Sequence, residues 1–167
     1  MDVIRTRIDP KSESFRRNRQ HMLALLAEVE AQLALARAGG GERSVARHRE
    51  RGKLLIRERI ERLLDRDAPF LELSPLAGWG TEFSVGGGFV SGLGVVSDVE
   101  CIICGHDPTV LGGAITAVSL KKINRALEIS RVNRLPYIQL VESAGGDLRR
   151  GTEDPDAEMR RQLTHFA

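Results

Sequence analysis

Aromatic side chains are scarce in this chain, with one Trp, one Tyr and five Phe among 167 residues. That removes the stacking platforms on which proteins hold single-stranded nucleic acid. Long apolar runs are missing as well; none approaches the ~20 residues of a membrane-spanning helix. The first twenty residues carry Arg5, Arg7, Arg16, Arg17 and Arg19 but no apolar segment of the secretory kind. Asp2, Asp9 and Glu13 also set them apart from acid-poor mitochondrial presequences. The expectation is a cytoplasmic protein, ahead of the mitochondrial matrix, that engages neither nucleic acid nor membrane.

Cysteine is limited to Cys101 and Cys104. They spell C-x-x-C, but "VECIICG" has the composition of a buried strand. On a strand, positions i and i+3 point to opposite faces, so the two thiols cannot share a metal. No helix follows directly, as a thioredoxin-like motif requires. Two packed core thiols, and no metal site, are expected.

What is present is an ordinary globular balance, 41% apolar and 29% charged, in a length suited to one domain with a helical appendage. The net charge of +2 is unevenly spread. Residues 1–67 hold 16 Lys and Arg against 11 Asp and Glu, whereas residues 68–167 hold 9 against 12. A basic front half suits a phosphate-bearing ligand or simply a solvated helix face.

Periodicity divides the chain near residue 67. Over residues 12–37, Phe15, Met22, Leu26, Val29, Leu33 and Ala36 form a near-heptad stripe, Ser12 or Ser14 can cap the start, and the glycines at 39–41 end the helix. The stripe calls for the main body or a partner subunit to cover it. Ile56, Ile60, Leu63 and Leu64 give a short second helix, stopping near Asp65, and "FLEL" begins an extended piece. From Gly86 the pattern is β-rich. "GGGFVSGLGVV" and "VECIICGHD" flank Ser97-Asp98 as a hairpin. Gly92-Leu93-Gly94 is no dinucleotide fingerprint, because a strand follows it rather than a helix. A helix from Ala117 buries Leu120, Ile123 and Leu127, with Lys121, Lys122 and Arg125 off that face. "NRLPYIQLV" is a strand with Pro136 at its start. The order is β-β-α-β, residues 1–67 being a helical extension and residues 68–167 the first part of an α/β domain. The series stops as a new helix begins, which suggests a truncated chain.

The last strand opens into "ESAGGDL", Glu142 to Leu148. Loops at the carboxyl ends of sheet strands are where α/β proteins commonly place chemistry. Gly145 and Gly146 would let a carbonyl approach bare backbone, where N–H donors stabilise a developing oxyanion; one such donor is typically worth ~10²–10³ in rate. A nucleophile elbow needs Gly two places before Ser143, where Val141 stands, and none of His21, His48, His106 and His165 is placed as its base. A glycine turn without chemistry remains open. "TVLGGAI", with Gly112, Gly113 and Ala114, precedes a helix N-terminus that can meet an anionic group or simply initiate the helix. Arg47, Arg51 and Lys53 can hold phosphates or face solvent or a subunit. Asp147, Arg149 and Arg150 follow the loop without a resolvable role.

The wider sequence resembles the β subunits of biotin-dependent acyl-CoA carboxylases of the propionyl- and methylcrotonoyl-CoA type. "RGKLLIRERIERLLD" is similar to that family's "RGKLTARERI…LLD" segment. The likeness runs on through "GGGFVSGLGVVSDVECIICGHDPTVLGGAI" and "RLPYIQLVESAGGDL", covering roughly residues 39 to 150 in order. It implies an α/β fold of the ClpP/crotonase kind, a spiral of ββα units, in which a glycine loop polarises an acyl-CoA thioester through backbone N–H groups. It implies carboxyl transfer: carboxybiotin, on a separate carrier, releases CO₂ beside the acyl-CoA, and the enolate held in the oxyanion hole attacks it. A biotin carboxylase or biotin carrier subunit and a homo-oligomer are the implied partners. Gly145 and Gly146 become the oxyanion donors; Gly112, Gly113 and Ala114, and more remotely Arg51 and Lys53, become contacts to CoA.

Three departures stand out. The family's D-S-G-G-A loop is here Glu142-Ser143-Ala144-Gly145-Gly146, with Ala144 at the first glycine. Leu55 replaces the Thr or Ser that caps the second helix, at about 1 kcal/mol of local stability. The next ββα turn and the domain receiving carboxybiotin are absent, so the fragment alone is expected to be inactive. A related crotonase-type enzyme such as a decarboxylase, and a non-catalytic CoA-ester-binding or oligomerisation piece, are the alternatives.

Overall fold

The computed structural model describes residue 6 and residues 8–147; Arg149, Arg150 and the acidic stretch after them lie outside the described residues. Helix α1 spans Glu13–Ala38, and Ser12 Oγ accepts the Phe15 N–H at 3.2 Å as its N-cap. A helix that periodicity did not resolve, α2 at Glu42–Glu50, precedes α3 at Ile56–Leu63. The α2 segment "ERSVARHRE" is mostly charged, so its one buried side chain, His48, left no apolar stripe to detect. Leu55 caps α3 without a side-chain bond; instead Glu58 reaches back to the Leu55 N–H at 2.8 Å, half of a capping box.

Strands β1 (Leu71–Glu72), β2 (Phe89–Val96), β3 (Val99–His106) and β4 (Tyr137–Leu140) form one sheet in the order β1-β2-β3-β4. The pairs β1–β2 and β2–β3 are antiparallel, and β3–β4 is parallel. The β2–β3 turn is the Ser97-Asp98 hairpin, both residues at positive φ (53° and 62°), the backbone of a type I′ turn. The Asp65 carboxylate closes it by accepting the Ser97 and Asp98 N–H groups, each at 2.7 Å. Helix α4, Ala117–Asn133, makes the crossover from β3 to β4.

Both faces of β3 are covered. Cys101 and Ile103 pack with Val90 against Ile56 and Ile60 of α3, with Phe70, Leu64 and Ile138 around them. Ile102 and Cys104 pack with Phe89 against Ala126 of α4. The two cysteines therefore face opposite layers. Gly92 and Gly94 are spacers: a Cβ would stand 2.4 Å from the Phe70 ring and 2.3 Å from Leu64. The G-L-G triplet thus serves close packing of α3 and its flanking chain on the sheet.

The inward face of α4 differs in part from the expected one. Leu120 is buried and Ile123 half-buried as expected, but Ser119, Lys122, Ala126 and Ser130 are buried too, whereas Leu127 is 44% exposed. Ser119, Lys122, Ala126 and Ser130, spaced by three and four residues, form a helical stripe whose small and charged members give no apolar signal. The α1 stripe is also only partly covered. Ala36 is buried and Val29 and Leu33 are half-buried, while Met22 and Leu26 are about half exposed (55% and 48%).

The end of α1 is fastened at two points. Arg57 of α3 forks onto Glu72 of β1 (3.1 and 2.7 Å) and donates to the Ala36 carbonyl (3.1 Å). The Gly40 N–H donates to Thr109 Oγ1 at 2.9 Å, and that hydroxyl donates in turn to Asp107 Oδ1. A Cβ on Gly40 would lie 1.8 Å from the Thr109 carbonyl oxygen, which is backbone and cannot swing away. Gly40→Ala is expected to lower stability by about 1–3 kcal/mol. Urea unfolding measures the loss, and amide exchange should speed in α1 before the β2–β3 ladder responds.

Candidate functional site

Because β3 and β4 are parallel, both carboxyl ends open on the same edge of the sheet. From β3 the chain turns through Asp107 and Thr109 into a single 3-10 turn, Leu111–Gly113, then reaches α4. From β4 it runs through Val141 into the Glu142–Asp147 loop. Backbone hydrogen bonds lace the two segments: Ala144 N–H to Gly112 O (3.0 Å), Ile115 N–H to Gly145 O (2.8 Å) and Asp147 N–H to Ile115 O (2.9 Å). Gly112–Ala114 and Gly145–Gly146, more than thirty residues apart, are one juxtaposition.

The glycines make this approach possible. A Cβ on Gly113 would fall 2.2 Å from the Glu142 carbonyl oxygen, and its φ of 74° is one that L side chains avoid. Gly112 (φ 66°) and Leu111 (φ 50°) precede it in the same left-handed region. Leu111 is neither glycine nor asparagine, so it carries strain on the order of 1–3 kcal/mol.

The backbone donors of the two loops are unequally committed. Gly113 N–H donates to Val110 O (2.8 Å) and Ala114 N–H to Leu111 O (3.2 Å). The N-terminus of α4 is closed by its own capping box, with Thr116 N–H on Ser119 Oγ (2.7 Å) and Ser119 N–H on Thr116 Oγ1 (3.2 Å). Gly145 N–H is held by Ser143 Oγ at 3.1 Å within an exposed turn. Gly146 pairs with Ile115 as a parallel bridge whose bonds run through its neighbours. Its own N–H meets no acceptor among the described residues, and the residue is exposed.

The charged residues gather at one end of this loop. Lys53 Nζ donates to Glu142 Oε1 at 2.6 Å, and Arg59 stands 3.6 Å from Oε2. The Lys53 hydrogen bond, first among the causes, holds the Glu142 carboxyl below its ordinary range. Arg51 and Arg47 are exposed. Ser143, the residue an elbow would need as nucleophile, spends its oxygen on the Gly145 N–H. His106, the last residue of β3, is 2% exposed; its ring meets Phe89 edge-on at 5.1 Å, and neither nitrogen has a partner among the described residues. Burial pushes its pKa below the ordinary value, so it is a neutral ring under the crevice.

Beside the lacing lies a pocket of about 190 Å³, lined by Phe83, Gly87, Leu111, Ala114, Thr116 and Asp147 among others. The sequence pointed to Ala114 and to the glycine loop. It did not point to Gly87 or Leu111, which reach the pocket only through the turns that precede β2 and α4.

The chain matches the carboxyl transferase domain family over residues 47–157. It is 46% identical over 167 residues to the probable biotin-dependent acyl-coenzyme A carboxylase beta2 subunit of Mycobacterium tuberculosis, covering 99% of this chain and 32% of that protein. It is 42% identical over 152 residues to the probable mitochondrial methylcrotonoyl-CoA carboxylase beta chain of Drosophila melanogaster, covering 89% and 26%. Among solved structures, the beta subunit of geranyl-CoA carboxylase from P. aeruginosa superimposes with a TM-score of 0.75 at 36% identity, over 98% of this chain and 31% of that one. The transcarboxylase 12S core, at 24% identity, a TM-score of 0.74 and coverage of 87% and 29%, shares the fold. The chain thus spans about a third or less of the length of the relatives it matches. Its fold is the crotonase-like α/β fold of carboxyltransferases. Among the described residues no helix is long and apolar enough to cross a membrane.

The Lys53–Glu142 pair has a pH signature. Because folding depresses the Glu142 pKa, its contribution is present above the ordinary carboxylate range and is lost as pH falls through the lower, folded value. The stability difference between the wild type and Glu142→Gln is expected to shrink toward zero in acid and to widen toward neutrality. Urea midpoints across that range at low salt measure it.

Proposed function

We infer the function from one premise: the chain belongs to the carboxyl transferase domain family. On that premise it is the acyl-CoA-binding, N-terminal part of a carboxyltransferase that moves a carboxyl group from carboxybiotin to the α-carbon of an acyl-CoA. The ββα unit of β2, β3, α4 and β4 is the first turn of a spiral that continues in a longer protein. The observation that carries the reading is the lacing of two glycine segments at the carboxyl ends of β3 and β4. It leaves the Gly146 N–H at an exposed strand end, without an acceptor among the described residues.

The chemistry asked of this chain is modest. Carboxybiotin supplies CO₂ when bound, and the residues that hold it belong to the rest of the longer protein. This chain holds the thioester and disperses the negative charge that grows on its carbonyl oxygen as the α-proton leaves. Gly146 N–H is the primary donor. Gly145 N–H becomes a second donor once it leaves Ser143 Oγ, a weak, solvent-exposed bond whose exchange for a charged oxygen is favourable. The Gly146 N–H, with no bond to give up among the described residues, needs no rearrangement during the reaction, which is the source of a preorganised donor's effect. No side-chain nucleophile is required, in keeping with the Ala and Gly of the loop.

Gly112, Gly113 and Ala114 serve the CoA ester by shaping the surface beside those donors, since their N–H groups are largely engaged within the turn. Arg51 and Lys53 supply positive charge for the CoA phosphates, with Lys53 shared with Glu142. The working protein is a cytoplasmic homo-oligomer served by a biotin carboxylase and a biotin carrier.

The test is Gly146→Pro in the complete protein. Proline deletes the one N–H in question, while the bridge bonds through Gly145 O and Asp147 N remain. Turnover of propionyl-CoA should fall ~10²–10³-fold, with the fold intact by circular dichroism. Near-normal turnover in a folded variant overturns the assignment.

A further inference from the structure

Lys122 is the one charged residue in the inward face of α4, and it is 5% exposed. Its ammonium donates to the carbonyl oxygens of Gly86 (3.1 Å) and Phe89. Those are the two ends of a turn made of three successive glycines, Gly86, Gly87 and Gly88, with φ of 84°, 65° and 64°. Such a run is accessible to glycine alone at low cost, and it gives up the most conformational entropy when ordered. Something has to hold it. The Gly86 and Gly87 N–H groups bond Ala77 O (2.7 Å) and Ser84 O (2.9 Å), and the Gly88 carbonyl accepts the Asp107 N–H (2.9 Å). On the side of α4, the holder is Lys122.

The turn has a use. Gly87 lines the pocket beside the glycine lacing, and a Cβ there would stand 2.7 Å from Val118 Cγ1. The pocket wall is bare backbone pressed against α4, flanked by the carbonyls that Lys122 grips. A buried ammonium carries a desolvation cost that an apolar side chain of the same length would avoid. Its presence here is explained by the carbonyls it fixes.

We propose that Lys122 is a positioning residue: its ammonium pins the Gly86–Phe89 turn and so sets the Gly87 wall of the pocket in which the acyl-CoA is received. The pocket's occupant rests on the function proposed above; the pin does not. The groups facing the ammonium are the Glu72 carboxylate of β1, which favours its charge, the Arg57 guanidinium of α3, which opposes it, and the Cys104 thiol of β3.

The experiment compares the wild type with Lys122→Met in the complete protein, by amide exchange at Gly86, Gly87 and Phe89 and by calorimetry with propionyl-CoA. In a folded Met variant those amides should exchange ~10-fold faster or more, with the middle of the β2–β3 ladder unchanged, and the dissociation constant should rise by about the same factor. Unchanged exchange in a folded variant overturns the pin. If the turn loosens but the wild type binds no propionyl-CoA, the pin stands and the acyl-CoA reading fails. If Lys122→Met does not fold, a pH series on the wild type decides. Burial lowers the Lys122 pKa to about 8. Above that pH, turn exchange corrected for its intrinsic rate should rise. Global stability should gain from this group at the same time, because the unfolded chain then binds the proton more strongly. A turn whose corrected exchange is flat through that pH overturns the proposal.

Discussion

The two-sided burial of β3 is the constraint on which the rest of this structure depends. A strand with Ile102 on one face and Ile103 on the other, both fully buried, is stable only if both faces are covered at once. Helix α3 covers one and α4 the other. That forces the segment N-terminal to the sheet to fold back onto it, so α3 shares a core with the strands. It also forces the crossover after β3 to be a helix long enough to span the sheet and return as a parallel neighbour. Once β4 is parallel to β3, the two carboxyl ends share an edge, and the glycine segments following them have to meet.

Where they meet, closeness of backbone matters more than side-chain chemistry. Gly113 against the Glu142 carbonyl, Gly40 against the Thr109 carbonyl and Gly87 against Val118 are approaches that a methyl group would prevent. The left-handed run Leu111-Gly112-Gly113 and the Gly86-Gly87-Gly88 turn are the strained or permissive segments of the described chain nearest the pocket. Both are held from outside themselves, the first by the Ala144 N–H on Gly112 O and the second by the Lys122 ammonium. A surface built this way presents amides at fixed positions, which suits a ligand recognised through one carbonyl oxygen.

Much of this was legible in the order of residues. A serine cap at Ser12 or Ser14, the Ser97-Asp98 hairpin, the β-β-α-β series, the opposed cysteines and the glycine loop after β4 are local matters. They follow from side-chain period, turn chemistry and strand alternation, each acting over a few residues. The family likeness was legible for the same reason, since its motifs are short segments in a given order. Less was readable where the signal was composition rather than hydrophobicity. Helix α2 has almost no apolar stripe, and the inward face of α4 mixes Leu120 and Ile123 with Ser, Ala and Lys.

By itself, then, the sequence determined most of the helices and strands, where the chain turns, and which loop has bare backbone to offer. Only the tertiary structure decided that the Gly112–Ile115 segment is laced to the loop from Ala144 to Asp147, that Lys53 meets Glu142, and that Lys122 points inward to grip a turn more than thirty residues earlier. Local rules act through torsions and neighbours three or four residues apart. Contacts between distant segments depend on how layers pack, and there a lysine is placed by the carbonyls it can reach rather than by its hydrophobicity.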